Sequence, residues 1–137
     1  MSENRIRKRI LVCDDDDILR KALAVVLGDA YDVVLADSGE EALRLIAERA
    51  PDLVLLDMSM PGMTGLETLR AYRKTHPQLR TIMLTSKHEI GIARRALEAG
   101  AVEYITKPFQ AETLKAEVER QLSPPPAADD RPWHVVS

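Results

Sequence analysis

Residues 53–62 of the chain read LVLLDMSMPG, an apolar run that ends in one carboxylate. A short segment that is apolar throughout is typical of a strand buried on both faces of a parallel sheet. Asp57 stands where this strand would end. The segment therefore predicts a strand that delivers one aspartate to the carboxyl edge of an α/β sheet.

Similar short apolar runs lie on both sides of this one, with helical patterns between them. They are Ile10–Cys13, Val33–Ala36, Ile82–Leu84 and Tyr104–Ile105. The alternation predicts a doubly wound α/β domain with a five-stranded parallel sheet and right-handed crossovers.

Apolar residues at helical spacing, together with capping and stop signals, predict the helices. They predict a first helix stopped by Gly28, a second opened by Ser38, a third from Thr64 to about His76, a fourth from Glu89 to Ala99 before Gly100, and a fifth striped by Leu114, Val118 and Leu122.

Length and composition fit one soluble domain. The 137 residues carry a net charge of −3, so we expect no direct binding to nucleic acid. No apolar stretch is long enough to cross a membrane. Cys13, the single cysteine, is expected to be a buried inert thiol in a cytoplasmic protein. We expect an N-terminal arm over 1–6, one domain over 7–122, and a proline-rich linker or tail over 123–137.

Polar groups follow the ends of the predicted strands. Parallel strands bring their carboxyl ends to one edge, where ligands bind in open α/β sheets. Asp14–Asp17 follow the first strand, Asp57 the third, Thr85 the fourth and Lys107 the fifth. Each has a plainer explanation, such as a helix cap, a core hydroxyl or a surface lysine. Their joint placement favours a common site.

Carboxylates crowded together repel one another, and a divalent cation relieves that repulsion. Mg²⁺ prefers one or two carboxylates, waters and a phosphate oxygen. A carboxylate can also act as a nucleophile towards phosphorus. The set therefore predicts Mg²⁺-dependent phosphoryl transfer to Asp57, with Lys107 and Thr85 binding phosphoryl oxygens.

These segments together resemble the receiver domain of bacterial response regulators, the CheY-like superfamily. The resemblance covers about residues 7–122 and implies a flavodoxin-like sheet with strand order 2-1-3-4-5. The matching segments are Ile10–Asp16, Leu53–Gly62, Ile82–Ser86 and Gly100–Phe109.

The resemblance also implies a role for each site residue. Asp57 is the phosphoacceptor, and Thr85 and Lys107 bind the phosphoryl group. Thr85 and Tyr104 form the conformational switch, and the peptide before Pro108 is cis. The implied magnesium ligands are Asp15, Asp57 and the backbone carbonyl of Ser59, and Asp14 contributes through a water or from behind the direct ligands.

The resemblance implies a sensor histidine kinase or phosphotransfer protein as phosphodonor, and an output partner or C-terminal effector domain. Such a domain promotes only its own phosphorylation and dephosphorylation. It can form a homodimer through helix 4, strand 5 and helix 5. Val102 departs from the winged-helix subfamily, in which an aspartate is usual there.

Two other classes of protein deserve comparison. The segment Asp14-x-Asp16 after an apolar run resembles the haloacid-dehalogenase phosphohydrolases, but Ile18 replaces their threonine or valine, and no cap segment fits in this length. A binding module with the same fold but no phosphorylation chemistry would not need the complete set of site residues.

Overall fold

The computed structural model describes residues 7–123, which form five strands and five α-helices in alternation. The strands are β1 (Arg9–Cys13), β2 (Asp32–Ala36), β3 (Leu53–Asp57), β4 (Arg80–Thr85) and β5 (Glu103–Thr106). The helices are α1 (Asp17–Gly28), α2 (Gly39–Glu48), α3 (Gly65–Arg73), α4 (Ile90–Glu98) and α5 (Ala111–Leu122).

All neighbouring strands are parallel, and their order is β2-β1-β3-β4-β5, which confirms the predicted sheet. The first crossover moves outward from β1 to β2, and the next places β3 on the other side of β1. The loops after β1 and β3 therefore begin side by side at one edge, where an α/β fold forms its ligand site.

The three inner strands are almost wholly buried, because helices cover both faces of the sheet. Successive side chains point to opposite faces, so Leu11 and Leu56 join the core under α2, α3 and α4, whereas Val12 and Leu55 join the core under α1 and α5. The edge strands β2 and β5 are only partly buried.

Local capping explains most of the helix boundaries. Asp16 caps α1 by accepting hydrogen bonds from the N–H groups of Ile18 and Leu19. Thr64 and Glu67 form a capping box that opens α3. Gly100, at φ +118°, ends the turn after α4 in a conformation that favours glycine.

Two helix predictions differ in detail from the structure. The third helix ends at Arg73 rather than near His76, because the N–H groups of Thr75 and His76 both donate to the Tyr72 carbonyl in a tightened turn. The fourth begins at Ile90, after a 3-10 turn over Lys87–Glu89. The first ends at Gly28 as predicted, but without a left-handed residue there.

Residues 1–6 and 124–137, including most of the expected linker, lie outside the described residues. Among the residues that are described, no helix combines the length and hydropathy needed to cross a membrane.

Candidate functional site

Asp14 and Asp57 lie at the ends of the adjacent strands β1 and β3, and both are buried. Asp14 is fully buried and Asp57 is 5% exposed. The Asp14 carboxylate accepts a hydrogen bond of 2.8 Å from the Asp16 N–H, and Asp57 accepts one of 3.4 Å from the Ser59 N–H. Two buried acidic groups at one sheet edge need a positive charge nearby.

Lys107 supplies that charge from the loop after β5. Its Nζ lies 2.8 Å from Asp14 Oδ2 and 3.2 Å from Asp57 Oδ1. The Lys107 N–H also donates to the Thr85 carbonyl at 2.6 Å, which connects this loop to the end of β4. The Lys107–Pro108 peptide is cis, as expected. One ammonium group thus bridges two carboxylates that come from different strands.

The acidic groups are arranged so that they could hold a cation. Side-chain oxygens of Asp14, Asp15 and Asp57 all lie within 4.8 Å of one another. Asp15 is exposed, so an ion there would keep contact with water. Carboxylate oxygens and retained waters suit Mg²⁺ better than they suit a soft metal. The residues present therefore fit a divalent cation of this class.

The electrostatics of the site favour a proton or a cation on Asp57. Burial, followed by the neighbouring Asp14 charge, raises the pKa of Asp57 to about 7, although Lys107 acts in the opposite direction. Burial alone would lower the pKa of Lys107, but its hydrogen bond to Asp14 and the two carboxylate charges raise it. One ammonium is too little to offset both buried carboxylates.

The two residues predicted to form the conformational switch, Thr85 and Tyr104, lie on β4 and β5. Thr85 is fully buried at the end of β4, and its hydroxyl donates to the Ser86 carbonyl at 3.2 Å. Tyr104 lies on β5, partly buried, and packs against the core under α2, α3 and α4. The structure therefore joins Asp14, Asp57 and Lys107 by direct contact, and it directs the Thr85 hydroxyl to the backbone of its own loop.

Three residues that support the site were not identified from the sequence. A Cβ on Gly65 would lie 2.1 Å from the Asp57 carbonyl oxygen, so only glycine fits beside the end of β3. The Arg20 guanidinium donates to the Asp14 carbonyl at 2.7 Å. The Glu89 carboxylate binds the loop after β4. No periodicity or motif marks Gly65 or Arg20, because their roles arise from tertiary proximity. Glu89 could have been found, because Ser86 and Glu89 have the spacing of a capping box.

Cys13 immediately precedes the acidic loop but takes no part in the site. Its side chain is fully buried, and its thiol donates to the Ser38 carbonyl at 3.3 Å. Burial, reinforced by the charges of Asp14 and Asp57, raises the pKa of the thiol to about 12. The thiol is therefore neutral and inaccessible, as predicted.

Comparison with known proteins identifies the class of this site. Residues 10–119 match the family model of the response regulator receiver domain. The chain is 39% identical over 133 residues to the DNA-binding response regulator MtrA of Mycobacterium leprae, covering 96% of this chain and 57% of MtrA. It is 42% identical over 125 residues to the response regulator MprA of a Mycobacterium species, covering 88% of this chain and 54% of MprA. The chain thus spans about half the length of these relatives.

Solved structures agree with the family match. The receiver domain of NtrX from Brucella abortus superposes with a TM-score of 0.79 at 37% identity, covering 82% of this chain and 97% of that one. A response regulator receiver domain protein from Clostridium thermocellum gives a TM-score of 0.80 at 32% identity, covering 84% of this chain and 94% of that one.

Proposed function

Because the chain belongs to the response regulator receiver domain family of two-component signalling, we propose that Asp57 is the residue that accepts the phosphoryl group. The observation that carries this assignment is the Lys107 ammonium bound to both Asp14 and Asp57 at the sheet edge. Asp57 is the only one of these carboxylates that ends the central strand β3. The domain is a signalling unit rather than an enzyme of the usual kind.

In the proposed reaction, an Asp57 carboxylate oxygen forms a bond to the donor's phosphorus as the phosphorus–nitrogen bond to a histidine imidazole breaks. The electron pair of the broken bond stays on the imidazole nitrogen. The Lys107 ammonium, already 3.2 Å from Asp57 Oδ1, offsets the charge of the transferred group. Hydrolysis of the acyl phosphate returns the carboxylate, so the chain would promote only its own phosphorylation and dephosphorylation.

The proposed magnesium site uses Asp14, Asp15 and Asp57, with the Ser59 backbone carbonyl as a further ligand. The oxygen cluster of the three carboxylates supports it. When bound, Mg²⁺ would offset negative charge on the phosphoryl oxygens.

We also propose that phosphorylation favours a conformer in which the Thr85 hydroxyl leaves Ser86 and binds a phosphoryl oxygen, with Tyr104 repacking. The 3.2 Å hydrogen bond from Thr85 to Ser86 describes the arrangement before that change. The surface formed by α4, β5 and α5, which an output protein or effector domain would contact, would then change its conformation. A homodimer through that face stays a prediction, and Val102, 41% exposed, lies beside it.

The proposal also covers the domain boundaries, the phosphodonor and the location of the protein. Residues 7–122 would form the receiver unit and residues 123–137 a linker or tail. The phosphodonor would be a sensor histidine kinase or phosphotransfer protein, in the cytoplasm. The family match and the two-component relatives support these partners.

Intact-mass measurement after treatment with acetyl phosphate and Mg²⁺ tests the assignment. We expect an adduct of about 80 Da on the unchanged chain and none on Asp57→Asn. The matched control is Asp37→Asn, which alters an exposed aspartate after β2 and should keep the adduct. An adduct of undiminished yield on Asp57→Asn would refute the assignment.

A further inference from the structure

Glu89 lies in the 3-10 turn before α4 and forms a reciprocal pair with Ser86. The Ser86 N–H and the Ser86 hydroxyl each donate to Glu89 Oε1 at 3.1 Å. The Glu89 N–H donates in return to the Ser86 carbonyl at 3.0 Å. We call this pair the Ser86–Glu89 clasp.

The clasp is connected to the switch residue on one side. The Ser86 carbonyl that binds the Glu89 N–H also accepts the hydrogen bond of 3.2 Å from the Thr85 hydroxyl. Thr85 is fully buried, so its hydroxyl can turn towards Asp57 only by giving up this partner. A rigid Ser86 therefore keeps Thr85 in its resting arrangement.

The clasp is connected to the acceptor loop on the other side. Burial favours a raised pKa for Glu89, but hydrogen bonds from the Ser59 side chain and from Ser86 outweigh it and lower the pKa, with a further contribution from the Lys107 charge. Ser59 in turn donates its N–H to Asp57 at 3.4 Å. The Glu89 carboxylate is thus linked to the proposed phosphoacceptor through Ser59.

We propose that Glu89 is a positioning residue that holds Thr85 in the resting state through Ser86 and is displaced when a phosphoryl group enters at Asp57. The inference rests on the proposed function of Asp57. A phosphoryl group brings about two negative charges into a region that already holds the Glu89 carboxylate. Repulsion then favours release of Ser86, which frees Thr85 and the turn that leads into α4.

The experiment compares Glu89→Gln and Glu89→Ala with Glu98→Gln, an exposed change at the end of α4, the helix that follows Glu89. With acetyl phosphate and Mg²⁺, we expect Asp57 to be phosphorylated at least about threefold faster in both Glu89 variants than in the unchanged chain, because the repelling charge is gone. Glu98→Gln should match the unchanged chain. Glutamine keeps an oxygen that can accept from Ser86, so this variant should fold even where alanine does not.

A structural readout accompanies the rates. We expect the Thr85 methyl resonance of the unchanged chain to shift on adding beryllofluoride and Mg²⁺, and that of unphosphorylated Glu89→Ala to lie part of the way along the same path. Phosphorylation of the unchanged chain with equal rates for all variants, or a Thr85 methyl resonance that Glu89→Ala leaves unmoved, would overturn the role of Glu89 alone. Absence of labelling on the unchanged chain would overturn the proposed function and this inference together.

Discussion

The ammonium of Lys107 lies 3.2 Å from the nearer carboxylate oxygen of Asp57, although 50 positions separate the two residues in the chain. This contact joins the end of the central strand β3 to the loop after the edge strand β5. It makes the stability of the domain depend on the charge balance of its site.

Replacing Lys107 by methionine removes this balance while keeping most of the side-chain volume. The carboxylates of Asp14 and Asp57 would then be buried without a cation, so we expect the free energy of unfolding at pH 8 without Mg²⁺ to fall by about 1–3 kcal/mol. Urea denaturation measures this change. Lys115→Met, on the exposed face of α5, is the matched control and should change it little. A loss of similar size in the control would show that the effect is not specific to the site.

The stability of the metal-free domain should depend on pH through Asp57. The pKa of this carboxyl is about 7 in the folded chain and 3.8 in its ordinary state. The folded state therefore binds more protons than the unfolded state between these two pH values. The stabilisation that comes from Asp57 is complete below about pH 4 and is lost as the pH rises through about 7. In the presence of a chelator, we expect the free energy of unfolding to fall on the order of 2–4 kcal/mol across this pH range.

Asp57→Asn isolates this contribution from that of the other acidic groups. The difference between the unfolding free energies of the variant and the unchanged chain should grow from pH 5 to pH 8 in favour of the variant. Mg²⁺ at pH 8 should reduce that difference, because the ion stabilises only the chain that has the ionised carboxylate. A difference that stays constant with pH would contradict the raised pKa.

Gly65 and Gly91 provide a matched pair of glycines for alanine substitution. A Cβ at Gly65 would overlap the Asp57 backbone at 2.1 Å, whereas Gly91 has no atom within 4 Å of its added Cβ. We expect Gly65→Ala to lower the free energy of unfolding by about 2–3 kcal/mol and to slow labelling of Asp57. Gly91→Ala should raise it by up to about 1 kcal/mol, since α4 gains helix propensity. Thermal denaturation and the labelling assay read both effects.

Cys13 offers a measurement of how often the core under the site opens. Because the thiol is fully buried and its pKa is raised to about 12, we expect it to react with a thiol reagent at pH 8 only when the chain unfolds. For a domain of ordinary stability, the Cys13 thiol should react about 10³-fold more slowly, or slower still, in buffer than in urea. Rapid labelling without urea would mean that the loop after β1 opens locally.

The sequence predicted the parts of this molecule that follow from short-range patterns. The runs ending at Cys13 and Asp57 were recognisable because a strand buried on both faces is apolar throughout. The ends of such strands meet at one edge, so the proximity of Asp14, Asp57 and Lys107 followed from topology alone.

The features that were not predicted from the sequence depend on tertiary contacts or on local turns and caps that hydrophobic spacing does not reveal. Gly65 must be glycine because the backbone of Asp57 passes behind it, and Glu89 matters because Ser86 and Ser59 lie within its reach. The early end of α3 at Arg73 depends on a local turn at Tyr72 that hydrophobic spacing does not reveal.

Asp14 and the lysine that balances it are 93 positions apart. During synthesis on the ribosome, the acidic loop after β1 emerges long before β5 and the residues that follow it. A nascent chain that stops short of position 107 therefore exposes an acidic edge without its counter-charge, and only the nearly finished domain neutralises it. The loop that follows the last strand to be made completes the charge balance of the loop that follows the first.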